Sequence, residues 1–257
     1  MTVMERIAPI NLAEDWDNCG LLVGDESKKV KKILITLEPT MMMIDEAIQN
    51  NVDLIIAHHP LMLNKINRIT TSTLEGKKLI KLIRHEIGLY SAHTNLDKAP
   101  LGLNHYLAEI VGMVNSKPLT PIQGETDDSV GLGRIGELES EISLKALGKK
   151  LMTLLDIDSL QYVGDENKSI KKIALVTGSG LSELNQAIQE GADLFITGDI
   201  KYHGALYAKE MGMSLIDATH FGSENIVIKL LNNVLKEHFQ HIEILLDTKS
   251  SNPIKNL

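Results

Sequence analysis

At 257 residues, 43% of them hydrophobic and 23% charged, the chain is ordinary globular material, long enough for one large or two modest cores. A formal charge of −8, with basic residues spread among an excess of acids, argues against nucleic-acid binding and against docking on an anionic membrane. Aromatic residues make up only 4%, so packing rests on Ile, Leu, Val and Met, as in α/β proteins. The single cysteine, Cys19, permits no intrachain disulfide and fits a reducing, cytoplasmic setting. The first residues lack the basic and apolar segments of a signal peptide, and no apolar run is long enough to span a bilayer.

In chain order, Glu14-Asp15-Trp16-Asp17-Asn18-Cys19-Gly20-Leu21 reads as a loop, with Trp16 as a core plug and the acids as turn or helix-end residues. Val23-Gly24-Asp25-Glu26 is a turn, 32–37 a strand, and 40–51 a helix with Ile44, Ala47 and Ile48 on one face. Leu54-Ile55-Ile56-Ala57-His58-His59-Pro60 is an apolar strand that stops on two histidines and a proline. In an open α/β sheet, ligands gather at the carboxyl ends of strands, so this edge is where chemistry is expected. A helix over 76–85 leads to a short strand ending at His93, with Asp97 four residues later. Pro118-Leu119-Thr120-Pro121 marks the crossing to a second lobe.

Gly131-Leu132-Gly133-Arg134-Ile135-Gly136 has dinucleotide-binding spacing, but it follows no hydrophobic strand and continues as strand rather than helix, so it is not a Rossmann fingerprint. Gly178-Ser179-Gly180 joins a strand to a helix and reads equally as a weak phosphate loop or a tight turn. Residues 212–220 form another short strand ending at a histidine, His220, followed by Glu224. A helix over 223–239 and a strand over 242–246 complete the chain.

Val23, Ile33, Ala47 and Asp53 recur as Val163, Ile173, Ala187 and Asp193, each 140 residues on, so 23–59 matches 163–199 without a gap. The expectation is an internal duplication: two pseudo-twofold related α/β lobes with mainly parallel sheets, residues 1–118 plus 222–257 forming the first and 119–221 the second. His58-His59 corresponds to Gly198-Asp199, so the halves diverge at the edge where ligands gather.

The strand-end groups are His58, His59, His93, Asp97, His220 and Glu224, nitrogen and oxygen donors that suit Zn, Fe or Mn. If a helix starts at His220, Glu224 shares its face at i, i+4. More donors than one tetrahedral centre takes, with carboxylates able to bridge, point to two divalent ions. The alternative is that His93 and His220 merely cap strands while Glu224 lies in solvent.

The same stretches, Asp15 to Leu21, Ala57-His58-His59-Pro60, Ala92-His93-Thr94-Asn95-Leu96-Asp97, Gly131 to Gly136, Thr197-Gly198-Asp199 and Thr219-His220-Phe221-Gly222-Ser223-Glu224, resemble the GTP cyclohydrolase I type 2 homologues, also called Nif3-like proteins. The resemblance covers essentially the whole chain and implies the Nif3-like fold, with His58, His59, Asp97, His220 and Glu224 as ligands of a dinuclear site and Glu224 bridging. It also implies a ring-shaped homohexamer and a hydrolase acting on a small molecule, with GTP as the substrate named by the family. His93, outside that ligand set, is the candidate proton donor, or else it positions a ligand. A phosphoesterase and a non-catalytic metal-binding regulator are the alternatives. One departure is Asn104-His105, where the family pattern leads one to expect an acid after the Asn.

Overall fold

The computed structural model describes residues 2–255. The chain divides into two compact units, Met1–Leu96 with Val227–Ser250, and Asp97–Ile226 with Ser251–Leu257.

In the first unit, helix α1 (Thr2–Ile7) precedes β1 (Gly20–Val23), β2 (Lys32–Thr36), α2 (Met41–Gln49), β3 (Leu54–Ala57), α3 (Leu74–Arg84) and β4 (Gly88–Ser91). The short helix α4 (Thr94–Lys98) carries the chain into the second unit, which contains α5 (Leu103–Val111), β5 (Met113–Lys117), β6 (Thr120–Pro121), β7 (Gly131–Leu132), β8 (Arg134–Ser143) and α6 (Leu144–Leu155). Next come β9 (Gln161–Val163), β10 (Ser169–Leu175), α7 (Leu184–Gln189), β11 (Leu194–Thr197), α8 (Tyr202–Glu210), β12 (Ser214–Asp217) and α9 (His220–Glu224). Finally α10 (Val227–His238) and β13 (Glu243–Leu246) belong to the first unit.

The first sheet has the order β1-β4-β3-β2-β13, with β4, β3, β2 and β13 parallel and β1 antiparallel at one edge. Parallel neighbours need helical crossovers, and the sequence provides them. Thr40 starts α2 by accepting the Met43 amide, and Met43, Ile44 and Ala47 are then buried with Leu34, Ile55, Leu82 and Leu89. Each of these Met, Ile and Leu side chains contributes roughly 1.5–3 kcal/mol when removed from water. The apolar stripe of α10 packs on β2 and β13, with Val227, Leu231 and Leu235 buried. The register pairs Thr36 with Ala57 and Ala57 with Ser91, so the carboxyl ends of β2, β3 and β4 finish level.

The second sheet has the order β5-β8-β10-β11-β12-β9. Its centre, β10-β11-β12, is parallel and repeats β2-β3-β4, with Phe195, Leu215 and Ala174 in its core. It is less parallel than the repeat predicts, because β8 runs antiparallel to β10, β5 to β8 and β9 to β12. The last residue of β8, Ser143, faces the first of β10, Ser169: between them the chain crosses to the far edge of the sheet, forms β9 beside β12, and comes back to enter β10 antiparallel to β8. The 131–136 stretch is strand, as its failure to resemble a Rossmann turn predicts. Among the described residues, no helix is long and apolar enough to cross a membrane.

Candidate metal centre

In the first unit, His58 and His59 prolong β3 and His93 follows β4 by two residues. Because those strands end level, the three rings converge, with centroids 5.1 Å apart for His58 and His59, 5.2 Å for His58 and His93, and 5.3 Å for His59 and His93. One donor atom from each lies within 4.8 Å of the others.

Every ring is oriented by an acceptor. His58 Nδ1 donates to the Ala92 carbonyl at 2.7 Å, His59 Nδ1 to Glu38 Oε1 at 2.6 Å, and His93 Nδ1 to Asp17 Oδ1 at 2.9 Å. Carbonyl and carboxylate oxygens only accept, so the neutral ring carries its proton on Nδ1 and presents the lone pair of Nε2. Metal-binding histidines are held in this way, since the second hydrogen bond fixes both tautomer and direction.

The side chain of Asp17 is buried and holds more than His93: it also accepts from the Thr94 amide and hydroxyl and from Cys19 Sγ at 3.1 Å. Burial alone would raise its carboxyl pKa, but these hydrogen bonds outweigh it and hold the group well below the usual carboxylate range. Conversely, burial and then the Asp17 contact push the Cys19 thiol up to about 12, which keeps it protonated at neutral pH. Trp16 is no core plug. It is 60% exposed, with its ring edge-on to His93 at 6.0 Å, because the chain here turns inward to bury Asp17 instead.

In the second unit, α9 begins at His220, and the i, i+4 spacing brings His220 Nε2 to 2.9 Å from Glu224 Oε2. The other ring nitrogen donates to Asp199 Oδ2 at 2.7 Å. The Glu224 hydrogen bond, working against burial and assisted by Asp199, raises the His220 pKa to about 9. A proton thus lies between imidazole and carboxylate, where a cation would bind. Thr219, which caps α9 by accepting the Gly222 amide, has φ of +59°, a costly conformation for a β-branched residue and one found where a site demands it.

Gly178 completes this half: a Cβ there would lie 2.0 Å from Glu224 Oε1, so only glycine leaves room for the carboxylate. Asp97 is held by other partners, its Oδ1 accepting from Thr177 Oγ1 at 3.5 Å and its carbonyl from Asn104 Nδ2 at 3.1 Å. His105, at the departure from the family pattern, faces Glu109 of its own helix at 3.4 Å. Arg134 is buried with no carboxylate partner among the described residues and donates to five carbonyls, those of Ala99, Pro100, Ser129, Gly131 and Gly133. Two of these lie just after α4, so the glycine-flanked arginine pins the turn that follows Asp97. Burial lowers its pKa to about 10, still cationic at neutral pH.

Residues 1–253 match the model of a family described as Duf34/NIF3, NGG1p interacting factor 3. The chain belongs to the Duf34/NIF3 family. A relative from Clostridium perfringens, named GTP cyclohydrolase 1 type 2 homolog, is 41% identical, covering 99% of this chain and 97% of its own. The crystal structure of a Staphylococcus aureus hypothetical protein matches with TM-score 0.91 at 32% identity, covering 100% of this chain and 97% of that one. Reduced HcgD from Methanocaldococcus jannaschii matches with TM-score 0.80 at 33% identity, over 95% of this chain and 94% of that one. This Duf34/NIF3 protein carries candidate metal-binding residues in His58, His59 and His93 and in His220 and Glu224.

Four residues of this Duf34/NIF3 site were not legible as functional one at a time: Asp17, Glu38, Asp199 and Gly178. The repeat held a signal for three of them. Asp199 stands at the position of His59 one repeat later, and Gly178 at that of Glu38. Asp17 has no such signal and reads as one acid among several.

Proposed function

We propose that the chain is a metal-dependent hydrolase in which His58, His59, Asp97, His220 and Glu224 hold two divalent ions, Zn, Fe or Mn, with Glu224 bridging. The observation that carries this reading is that His58, His59 and His220 each donate Nδ1 to an acceptor, the arrangement a metal-binding imidazole requires. Ions bound there supply Lewis acidity and activate water for attack. His93, oriented by Asp17, takes a proton from the attacking water at Nε2 and then serves as the proton donor to the leaving group. The substrate is a small molecule, and the name of the Clostridium relative makes GTP the first to try. Assembly is a homohexamer in the cytoplasm, without direct nucleic-acid or membrane contact. The name NGG1p interacting factor 3 favours a second reading, a metal-binding interaction protein without turnover.

Glu224→Gln separates the two. Glutamine keeps size and one carbonyl oxygen but loses the charge that bridges two cations, so metal content falls, and kcat falls by on the order of 10²-fold or more. The measurement is metal stoichiometry together with turnover of GTP, other nucleotides and phosphorylated metabolites, with Zn, Mn and Fe added in turn. Wild-type turnover surviving in a variant that lacks an ion would exclude the two-ion mechanism. Full metal occupancy without turnover of any substrate would favour the interaction protein.

A further inference from the structure

We propose that residues 63–69, together with Lys78, form a cationic arm that binds the phosphate of a phosphorylated small-molecule substrate beside the histidines of the first unit. The inference rests on the hydrolase reading above and names the class of substrate.

The duplication shows that the arm is an addition. Sixteen residues (58–73) separate β3 from α3, whereas four (198–201) separate the equivalent β11 from α8. The extra chain therefore begins directly after His58-His59. It also departs from the acidic background of the protein: between 61 and 84 stand Lys65, Arg68, Lys77, Lys78, Lys81 and Arg84 against the single acid Glu75, in a chain of net charge −8.

Both ends of the arm are moored. The Met62 carbonyl accepts from Asn18 Nδ2 at 2.7 Å, and Asn18 adjoins the Asp17 that orients His93. At the far end the backbone of Thr70 packs so closely on α3 that a Cβ on Gly76 would lie 2.0 Å from its carbonyl oxygen. Between these points, residues 63–69 make no hydrogen bond or ion pair among the described residues, and Leu63, Ile66 and Ile69 are 51%, 36% and 51% exposed. A segment fixed at both ends but unbonded between them can close on a ligand with little backbone loss.

The cations fit an anion. Lys81 is paired with Asp45, but Lys65 and Arg68 have no acid partner among the described residues. Lys78 is half-buried on α3, two residues past the Gly76 against which the far end of the arm packs. Lys65 is five residues from Pro60, within roughly 18 Å of extended chain. Phosphate has the charge density to pair with Lys and the geometry to take Arg bidentately, and Leu63, Ile66 and Ile69 offer apolar surface to the organic part of the same molecule.

The probe is inorganic pyrophosphate, titrated calorimetrically into the full chain, metal-free and Zn-loaded, for wild type, Lys65→Gln/Arg68→Gln and, as a surface control, Lys145→Gln. The double variant is expected to fold and take up Zn like wild type while its pyrophosphate affinity falls on the order of tenfold and depends less on salt. Lys145→Gln is expected to bind as wild type does. Trypsin should cut wild type first after Lys65 or Arg68, and pyrophosphate should slow that cut. Unchanged affinity and salt dependence in the double variant would overturn the proposal, as would a change in oligomeric state alone, which would make the arm an assembly contact. Failure to take up Zn is a failure of the metal reading; pyrophosphate binding that still depends on Lys65 and Arg68 then continues to support the arm.

Discussion

Residues 23–59 and 163–199 build the same β-α-β frame and finish it with opposite chemistry. In each, an aspartate at the start of the second strand accepts two backbone amides: Asp53 those of Lys31 and Lys32, Asp193 those of Lys171 and Lys172. At the carboxyl edge the roles are exchanged. Position 59 is a histidine that donates to a glutamate following the preceding strand, whereas its counterpart 199 is an aspartate that accepts from a histidine following the next strand. The equivalent positions 59 and 199 thus carry opposite members of an imidazole–carboxylate pair, and each finds its partner at a different strand end. Glu38 in the first unit becomes Gly178 in the second, and the space so opened receives Glu224. The frame is thus a scaffold indifferent to the groups it carries, and function resides in a few residues beyond the strand ends.

Filling the space at 178 breaks the comparison most severely. In Gly178→Ala the new methyl meets Glu224 Oε1 at 2.0 Å, and φ of +62° is already unfavourable for alanine. Strain and displacement of a buried carboxylate together should cost about 2–4 kcal/mol. Thermal unfolding should register that loss, and zinc affinity should fall on the order of 10²-fold as Glu224 moves. A variant with wild-type zinc affinity would show that Glu224 is no ligand.

The swapped pairs come next in size. Asp199→Asn and Glu38→Gln each retain an acceptor oxygen for the ring but remove the charge that makes it a better donor to metal. Loss of such supporting groups typically lowers metal affinity 10–100-fold. Competition titration with a chromophoric chelator should therefore find both variants weakened. If only one weakens, only that imidazole binds metal, and the symmetry between the pairs is one of hydrogen bonding alone.

Most of the frame was legible in the sequence because periodic apolar patterns and a gapless repeat are local and redundant. The helix starting at His220 could be anticipated for the same reason: the i, i+4 spacing requires only one turn of helix. The antiparallel β8 was not legible, since strand direction depends on where α6 and β9 return the chain, and no local pattern encodes that. Nor was Asp17, whose importance arises from burial beside a histidine 76 residues away. Trp16 misled for a related reason. Tryptophan is usually buried, yet here the polar neighbour took the interior because its carboxylate could satisfy five donors there.

The smallest expected effect is the sharpest test of the shared frame. Asp53→Ala removes the acceptor of two backbone amides, at 2.8 and 3.0 Å, and Asp193→Ala removes the acceptor of two at 3.0 and 2.8 Å. In both cases one amide belongs to the first lysine and one to the second of a Lys-Lys pair, at the start of β2 in the first unit and two residues into β10 in the second. Each loss should cost about 1–2 kcal/mol, since an amide left partly buried without its acceptor loses more than the net worth of one hydrogen bond. Denaturant titrations should place the two variants within about 0.5 kcal/mol of each other, and the corresponding Asn variants, which keep one acceptor oxygen, closer to wild type. If the duplication preserved energetics as well as order, the two costs agree. A cost confined to Asp53 or to Asp193 would mean that one frame has shifted its stability elsewhere, for the second unit onto the antiparallel β8 that the first unit lacks.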